Sequence, residues 1–221
     1  MRRFDIITEA EARVLPAGES VLVARGGHVT PLALDTLRER RIALVREGES
    51  AAEEASLVPA AEIRTLAVGS DHTGVALRRS LVAWLRGRGL SVADQGVDDG
   101  TAVDYPDVAG EVAMAVAVGE VDAGLVIDGA GIGSAIAANK VPGVRAAMAT
   151  SVTIARYSRE HNGANVLTLG ATLVSESEAH EILAAWLSTP MREPRYIRRL
   201  SKIRALERRA CEGTLGVRQT R

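Results

Sequence analysis

The residues best suited to chemistry gather around one glycine-rich turn. Residues 124–140 read G-L-V-I-D-G-A-G-I-G-S-A-I-A-A-N-K, an apolar strand running into Gly129, Gly131 and Gly133 and then into a helix. Glycines there let backbone N–H groups approach a ligand, and the following helix adds the positive end of its dipole, so the turn suits an anionic small molecule. Asp128 stands at its mouth, with two readings open. Burial could raise its pKa and make it a working base, or it could accept the N–H groups of the loop and be held ionised and inert. A dinucleotide is disfavoured, because the spacing is G-x-G-x-G rather than G-x-G-x-x-G. Met148, Ala149 and Thr150 occupy the position about 20 residues on, where an acidic ribose ligand belongs.

Ser70-Asp71-His72 follows the first strand of this region, and Arg159-Glu160-His161-Asn162 ends another helix. Asp71 in such a turn commonly caps the next helix. The two motifs together supply two imidazoles able to move protons near neutral pH. Arg195 and Arg199 lie four apart on an expected helix, hence on one face, where both guanidiniums can hold a single phosphate. Eight of the eighteen residues from Arg192 to Arg209 are basic and two acidic, yet Tyr196 is the lone ring, which leaves single-stranded nucleic acid little to stack on. His28 and His180 lack comparable company and read as structural.

These side chains need a scaffold that brings strand ends together. Strands are expected at Thr65 to Gly69, Leu90 to Asp94, Ala123 to Asp128, Val144 to Ala149 and Val166 to Leu169. Helices are expected at Val75 to Arg88, Tyr105 to Val118, Ser134 to Asn139, Val152 to His161, Ser177 to Leu187 and Arg195 to Arg209. Such alternation implies an α/β fold, a doubly wound five-stranded parallel sheet with helices on both faces, and ligands bind beyond the carboxyl ends of its strands. Residues 1–46 read as a separate small α/β module: a capping box at Thr8 to Glu11, a strand at Ser20 to Ala24, an N-cap at Thr30-Pro31 and a strand at Ile42 to Val45. Residues 47–63, acidic and small at their start, read as a linker. The expected divisions are therefore 1–46, 47–63, 64–190 and a C-terminal basic helix in 191–221.

The 221 residues carry 27 basic and 28 acidic side chains, a net charge of −1, so no global field favours nucleic acid or an anionic membrane. Cys211 is the single cysteine and no Cys/His cluster has metal-ligand spacing, which fits a reducing cytoplasm. No uncharged apolar run reaches the roughly 18 residues of a membrane span, and the start of the chain has no signal-peptide character.

Leu66 to Leu206 resembles the type B ribose-5-phosphate isomerase and galactose-6-phosphate isomerase family. The resemblance rests on Gly69-Ser70-Asp71-His72, Asp104-Tyr105-Pro106, Gly129 to Gly133, Ala137-Ala138-Asn139-Lys140, Ser158 to Asn162, Asn165-Val166-Leu167 and the Arg195/Arg199 pair. It implies a Rossmann-like domain, a homodimer or tetramer with active sites at the subunit interface, and aldose-ketose isomerisation of a four- to six-carbon sugar phosphate through an enediolate, without metal or cofactor. By position, Asp128, His161 and Asp71 would be catalytic, His161 opening the sugar ring with support from Asp71. Tyr105 and Asn162 would hold hydroxyls, His72, Arg195 and Arg199 the phosphate, and Gly129, Ala130, Gly131, Gly133 and Ser134 would line the enediolate.

The family's usual base is absent from both of its positions. Asp128 stands where many members carry cysteine, and Ser134 where others carry glutamate. Ala130 replaces a threonine or serine, and Thr172 an arginine. The Asp and Ser combination is similar to the A-type galactose-6-phosphate isomerase subunit, which implies an alternative: a sugar-phosphate-binding subunit completed by an unlike, cysteine-bearing isomerase partner. Residues 1–46 resemble short modules on enzymes of bacterial microcompartments, so docking, oligomerisation and cargo targeting are all expectations for them.

Overall fold

The structure, a computed structural model, describes residues 2–46, 57–60, 62–96, 101–191 and 193–211. The chain divides between Ser56 and Leu57 into two units, each with its own sheet and core.

The first unit runs β1 (Arg2–Ile7), α1 (Glu9–Val14), β2 (Ser20–Val29), α2 (Pro31–Glu39) and β3 (Ala43–Arg46), with the strands parallel in the order β1-β2-β3. The Thr8 amide and hydroxyl both donate to Glu11, and the Thr30 hydroxyl accepts from the Ala33 amide at 3.3 Å, so both helices start where their caps dictate. Ile7, Val21, Val23, Val29, Leu37 and Ile42 form the core. Strand β1 was not expected from the sequence. Its Arg2, Arg3 and Asp5 mask the apolar period, and they are tolerated because β1 is an outer strand whose side chains up to Ile6 remain exposed or half-buried.

The second unit runs β4 (Thr65–Ser70), α3 (Val75–Gly87), β5 (Ser91–Asp94), α4 (Tyr105–Ala117), β6 (Ala123–Asp128), α5 (Ile132–Ala138), β7 (Ala146–Met148), α6 (Val152–Glu160), β8 (Val166–Gly170), α7 (Glu176–Ser188) and α8 (Pro194–Cys211). The five strands are all parallel, in the order β5-β4-β6-β8-β7. This is the α/β sheet expected from the alternation of apolar runs. The direction of winding reverses between β4 and β6, so the crevice of the sheet opens beyond their carboxyl ends.

Period-two patterning of the strands builds a core on each face. Leu66, Val68, Leu125, Ile127, Leu167 and Leu169 point to the side holding Leu81, Leu85, Ile182 and Trp186 of α3 and α7. Ala67, Val126 and Val166 point to the side holding Val108, Val112 and Val116 of α4. Each large apolar side chain buried in this way contributes about 1.5–3 kcal/mol. Gly69 faces α4, where a Cβ would lie 2.5 Å from Val108 Cγ1, so the helix can close on the sheet only over glycine.

Two boundaries differ from expectation. Strand β7 is three residues long rather than the six of Val144 to Ala149, because it is an edge strand bonded to β8 alone. At its start the Asn139 amide stands in for another strand, donating to the Ala146 carbonyl and accepting from the Ala146 amide, both at 2.9 Å. Leu57, assigned to the linker by its sequence, packs with Met191, Tyr196 and Leu200, and Ile63 packs on the main core, so these two residues are part of the folded unit. The remainder of the expected linker, 47–56, lies outside the described residues.

Candidate active site

Strand β4 delivers Asp71 to the crevice. The Arg78 guanidinium, fully buried, donates to Ser70 Oγ at 3.1 Å and pairs with Asp94, which fixes the end of the strand. The Asp71 amide donates to the Ile127 carbonyl of β6 at 3.1 Å, placing the residue beside the base of the glycine turn. Asp71 is 7 % exposed, and one carboxylate oxygen, Oδ1, accepts from the Thr73 amide (2.9 Å), the Thr73 hydroxyl (2.6 Å) and the Gly74 amide (3.3 Å). Its Oδ2 has no donor among the described residues. His72 is exposed at the same edge.

Strand β6 delivers Asp128, which is 4 % exposed. Its Oδ1 accepts from the amides of Ala130 (2.8 Å) and Gly131, and its Oδ2 from the amide (2.9 Å) and hydroxyl of Ser134. Burial pushes the carboxyl up, but the Ser134 hydroxyl and the amides of Gly131, Ser134 and Ala130 together outweigh it and hold the group below the ordinary carboxylate value. Of the two readings the sequence left open, this geometry is that of the loop acceptor: both Asp128 oxygens are engaged by the turn. Ser134, expected to line the substrate, is fully buried and spends its hydroxyl on Asp128.

Three threonines complete the loop. The Thr172 amide and hydroxyl donate to the Gly129 carbonyl at 3.0 and 2.6 Å, and the Thr168 hydroxyl donates to the Gly131 carbonyl at 2.7 Å. Thr73 lies against the turn, since a Cβ on Gly129 would sit 3.6 Å from its hydroxyl. Gly131 has φ +76°, and a Cβ there would meet the Leu169 carbonyl carbon at 2.9 Å, so only glycine fits. With Asp128 and the threonines taking their shares, the N–H groups of Gly129, Ile132 and Gly133 have no acceptor among the described residues. The Tyr105 ring packs over Gly133, where a Cβ would be 2.6 Å from it. Thr73 and Thr168 were not singled out in the sequence, and Thr172 was noted only as replacing an arginine; a threonine's reach to a loop carbonyl 37 or 43 residues away, as for Thr168 and Thr172, has no local signature.

His161, Asn162, Arg195 and Arg199 form a second group. Helix α6 leaves the carboxyl end of β7 and runs back, so its C-cap residue His161 lies at the amino ends of the strands, where the Asn165 carbonyl accepts from Gly124 and the Asn165 amide donates to Arg145. His161 lies between Tyr157, stacked on it at a centroid distance of 4.6 Å, and Tyr196, tilted against it at 4.7 Å. Arg195 and Arg199 lie 4.8 and 5.6 Å from the Tyr196 ring, and Arg195 also donates to its hydroxyl at 2.9 Å. The turn is held from below by Arg159, 2 % exposed, which donates to the Ala164 carbonyl at 2.8 Å and the Ala60 carbonyl at 3.1 Å, and stacks on Trp186. Burial, with the nearby Arg145 charge, lowers the Arg159 pKa to about 10, so it stays charged at neutral pH.

One chain therefore does not unite the expected catalytic set. Asp71, His72, Tyr105 and the glycine turn share the carboxyl edge, whereas His161, Asn162 and the arginine pair share the amino edge. Five- and six-residue strands separate them by roughly 15–20 Å. Among the described residues no group of three or more His, Cys, Asp or Glu could hold a metal ion, and no helix is long and apolar enough to cross a membrane.

A doubly wound sheet with a carboxylate and a braced glycine turn at its switch point defines a class of α/β small-molecule site. Within that class, the Ribose/Galactose Isomerase family model matches residues 66–203, and the chain belongs to that family. It is 42 % identical over 147 residues to ribose-5-phosphate isomerase B of Escherichia coli K12, covering 66 % of this chain and 99 % of that protein. It is 38 % identical over 124 residues to D-erythrulose-4-phosphate isomerase of Pectobacterium atrosepticum, covering 56 % and 82 %. Among solved structures it is similar to ribose-5-phosphate isomerase B of Clostridium thermocellum, with a TM-score of 0.65, 44 % identity and coverage of 66 % and 99 %.

Proposed function

We propose that the protein interconverts an aldose phosphate and its ketose phosphate through an enediolate, with ribose 5-phosphate or another four- to six-carbon sugar phosphate as substrate. The observation that carries this reading is the braced turn at the switch point. Three N–H groups without an acceptor among the described residues, of Gly129, Ile132 and Gly133, lie at the same strand edge as the Asp71 carboxylate, on a chain that spans nearly the whole length of an isomerase of that class. Preorganised amides are what an enediolate oxygen needs as charge develops on it.

The active unit in this reading is a homodimer or a tetramer built from it. A two-fold axis sets the carboxyl edge of one protomer against the amino edge of its partner, so that His161, Asn162, Arg195 and Arg199 of one copy complete the site begun by Asp71 and the glycine turn of the other. His161 then opens the sugar ring, and the arginines take the phosphate as a bidentate clamp. The N-terminal unit serves docking or oligomerisation in the cytoplasm.

The test is turnover by the purified protein alone on ribose 5-phosphate, erythrose 4-phosphate and galactose 6-phosphate. Ketose formation from one of them is expected. A protein that binds these compounds but turns over none, and gains activity only with a cysteine-bearing family member, would overturn this reading in favour of a partner subunit.

A further inference from the structure

The saturation of Asp128 leaves the proton transfer between carbons without an owner. Ser134 is fully buried and donates to Asp128, so neither position at which the family places its base presents a free basic atom. Other carboxylates near this edge are committed or displaced. Asp94 is paired with Arg78, while Asp104, Asp107 and Glu111 line a cavity of about 410 Å³ to which neither Asp71 nor the glycine turn contributes.

Asp71 differs from all of these. Three donors anchor its Oδ1, so the carboxylate plane is fixed, while Oδ2 accepts nothing from the described residues. The Thr73 hydroxyl that anchors it also lies against Gly129, so the Asp71 carboxylate and the glycine turn share a neighbour at one strand edge. A carbon acid is deprotonated by a base held in place beside donors that receive the resulting negative charge. Asp71 beside Gly129 has that arrangement.

From this juxtaposition we infer that Asp71, through Oδ2, is the base that carries the proton between C1 and C2 in this chain, and that Asp128 is a positioning residue for the turn. The inference rests on the isomerase reading above. In the forward direction the C2–H bond of the open-chain aldose breaks and an Oδ2–H bond forms. The C–H electron pair becomes the C1–C2 double bond, and the carbonyl pair moves onto O1, facing the turn amides. The O2 proton passes to O1, the C2–O2 double bond forms, and Asp71 returns its proton to C1. Nothing is oxidised or reduced overall, and no co-reactant is needed.

Ribulose 5-phosphate separates this role from assistance to ring opening, because its O5 is esterified and it cannot close a furanose. Exchange of its C1 hydrogen in deuterated water therefore reports deprotonation alone. For Asp71→Asn, whose amide oxygen still accepts the Thr73 and Gly74 donors, exchange is expected to fall about 10²–10⁴-fold, the usual worth of a general base. Binding of ribitol 5-phosphate, an open-chain analogue without a carbonyl, should change less than about threefold, which reports that the site is folded; a base operates on the reacting carbon and adds little to ground-state affinity. Asp128→Asn should keep measurable exchange.

Exchange by Asp71→Asn at the wild-type rate, with slower turnover of cyclic ribose 5-phosphate only, would assign Asp71 to ring opening and overturn the inference. Loss of exchange in Asp128→Asn at undiminished stability would overturn it too, by returning the base to Asp128. If wild-type protein alone exchanges none of the sugar phosphates, the isomerase reading itself has failed, a result distinct from the other two.

Discussion

At Asp128 four donors meet two oxygens, and that ratio decides what the residue can do. An unengaged buried carboxylate is pushed toward neutrality and becomes a better base, whereas one accepting several N–H bonds is stabilised as an anion. The net effect here is a lowered pKa, so the bonds prevail over burial. A lowered folded-state value means that the unfolded chain binds the proton more tightly. The stabilisation is complete above the unfolded value, about 3.9, and is lost as pH falls through the folded one. Unfolding free energies from pH 7 to pH 3 should therefore fall more steeply for the wild type than for Asp128→Asn. At pH 7 the variant should be less stable by about 2–3 kcal/mol, because its amide group would confront donors with a donor. Chemical denaturation across that pH range measures both. Identical slopes would mean that Asp128 is not the buried anion described here.

Elements set where each side chain can act, and α6 is the clearest instance. Helix 152–160 begins at the carboxyl end of β7 under the Ser151 cap and delivers His161 to the opposite end of the sheet. Its last turn is gripped by Arg159, whose bonds run to backbone carbonyls at Ala164 and Ala60. Replacing Arg159 by Met would preserve much of the packing on Trp186 and strand both carbonyls, for a loss of about 2 kcal/mol or more. The turn bearing His161 and Asn162 would loosen with it. Turnover of cyclic ribose 5-phosphate should drop several-fold, on the order of what about 1 kcal/mol of misplacement costs, while C1 exchange of acyclic ribulose 5-phosphate drops less. Equal losses on the two substrates would show that the turn is not specific to ring opening. Much of this element pattern was legible in the sequence. The capping box at Thr8, the apolar alternation and the glycine turn are local, and all five strands of the larger sheet were found from the alternation. Strand β1 was missed because its charges hide its period, and β7 was overextended because an edge strand ends where its single neighbour stops bonding.

At the scale of the whole molecule, the decisive feature is the separation of two half-sites by the length of the strands, one at their carboxyl ends and one at their amino ends. Tyr196, His161 and the arginine pair are 15–20 Å, in round terms, from Asp71 and the glycine turn. If two copies complete each other, Asp71→Asn and His161→Ala are inactive separately but complementary together. Random reassortment of equal amounts makes half of the dimers mixed, each with one unmodified site, so about a quarter of wild-type activity should return. Activity measured after co-refolding checks this, and no recovery at all would place both halves in one chain's own site.

The sequence by itself determined the order of strands and helices in the larger unit, the family, and which residues stand at strand ends, because caps, turn glycines and apolar periods are properties of neighbouring residues. Only the tertiary structure decided that four donors of the loop engage Asp128, that Oδ2 of Asp71 has no donor among the described residues, and that His161 lies at the far edge. Those facts depend on hydrogen bonds closed by folding and on the direction in which a helix returns along the sheet. Neither is written in the spacing of residues along the chain.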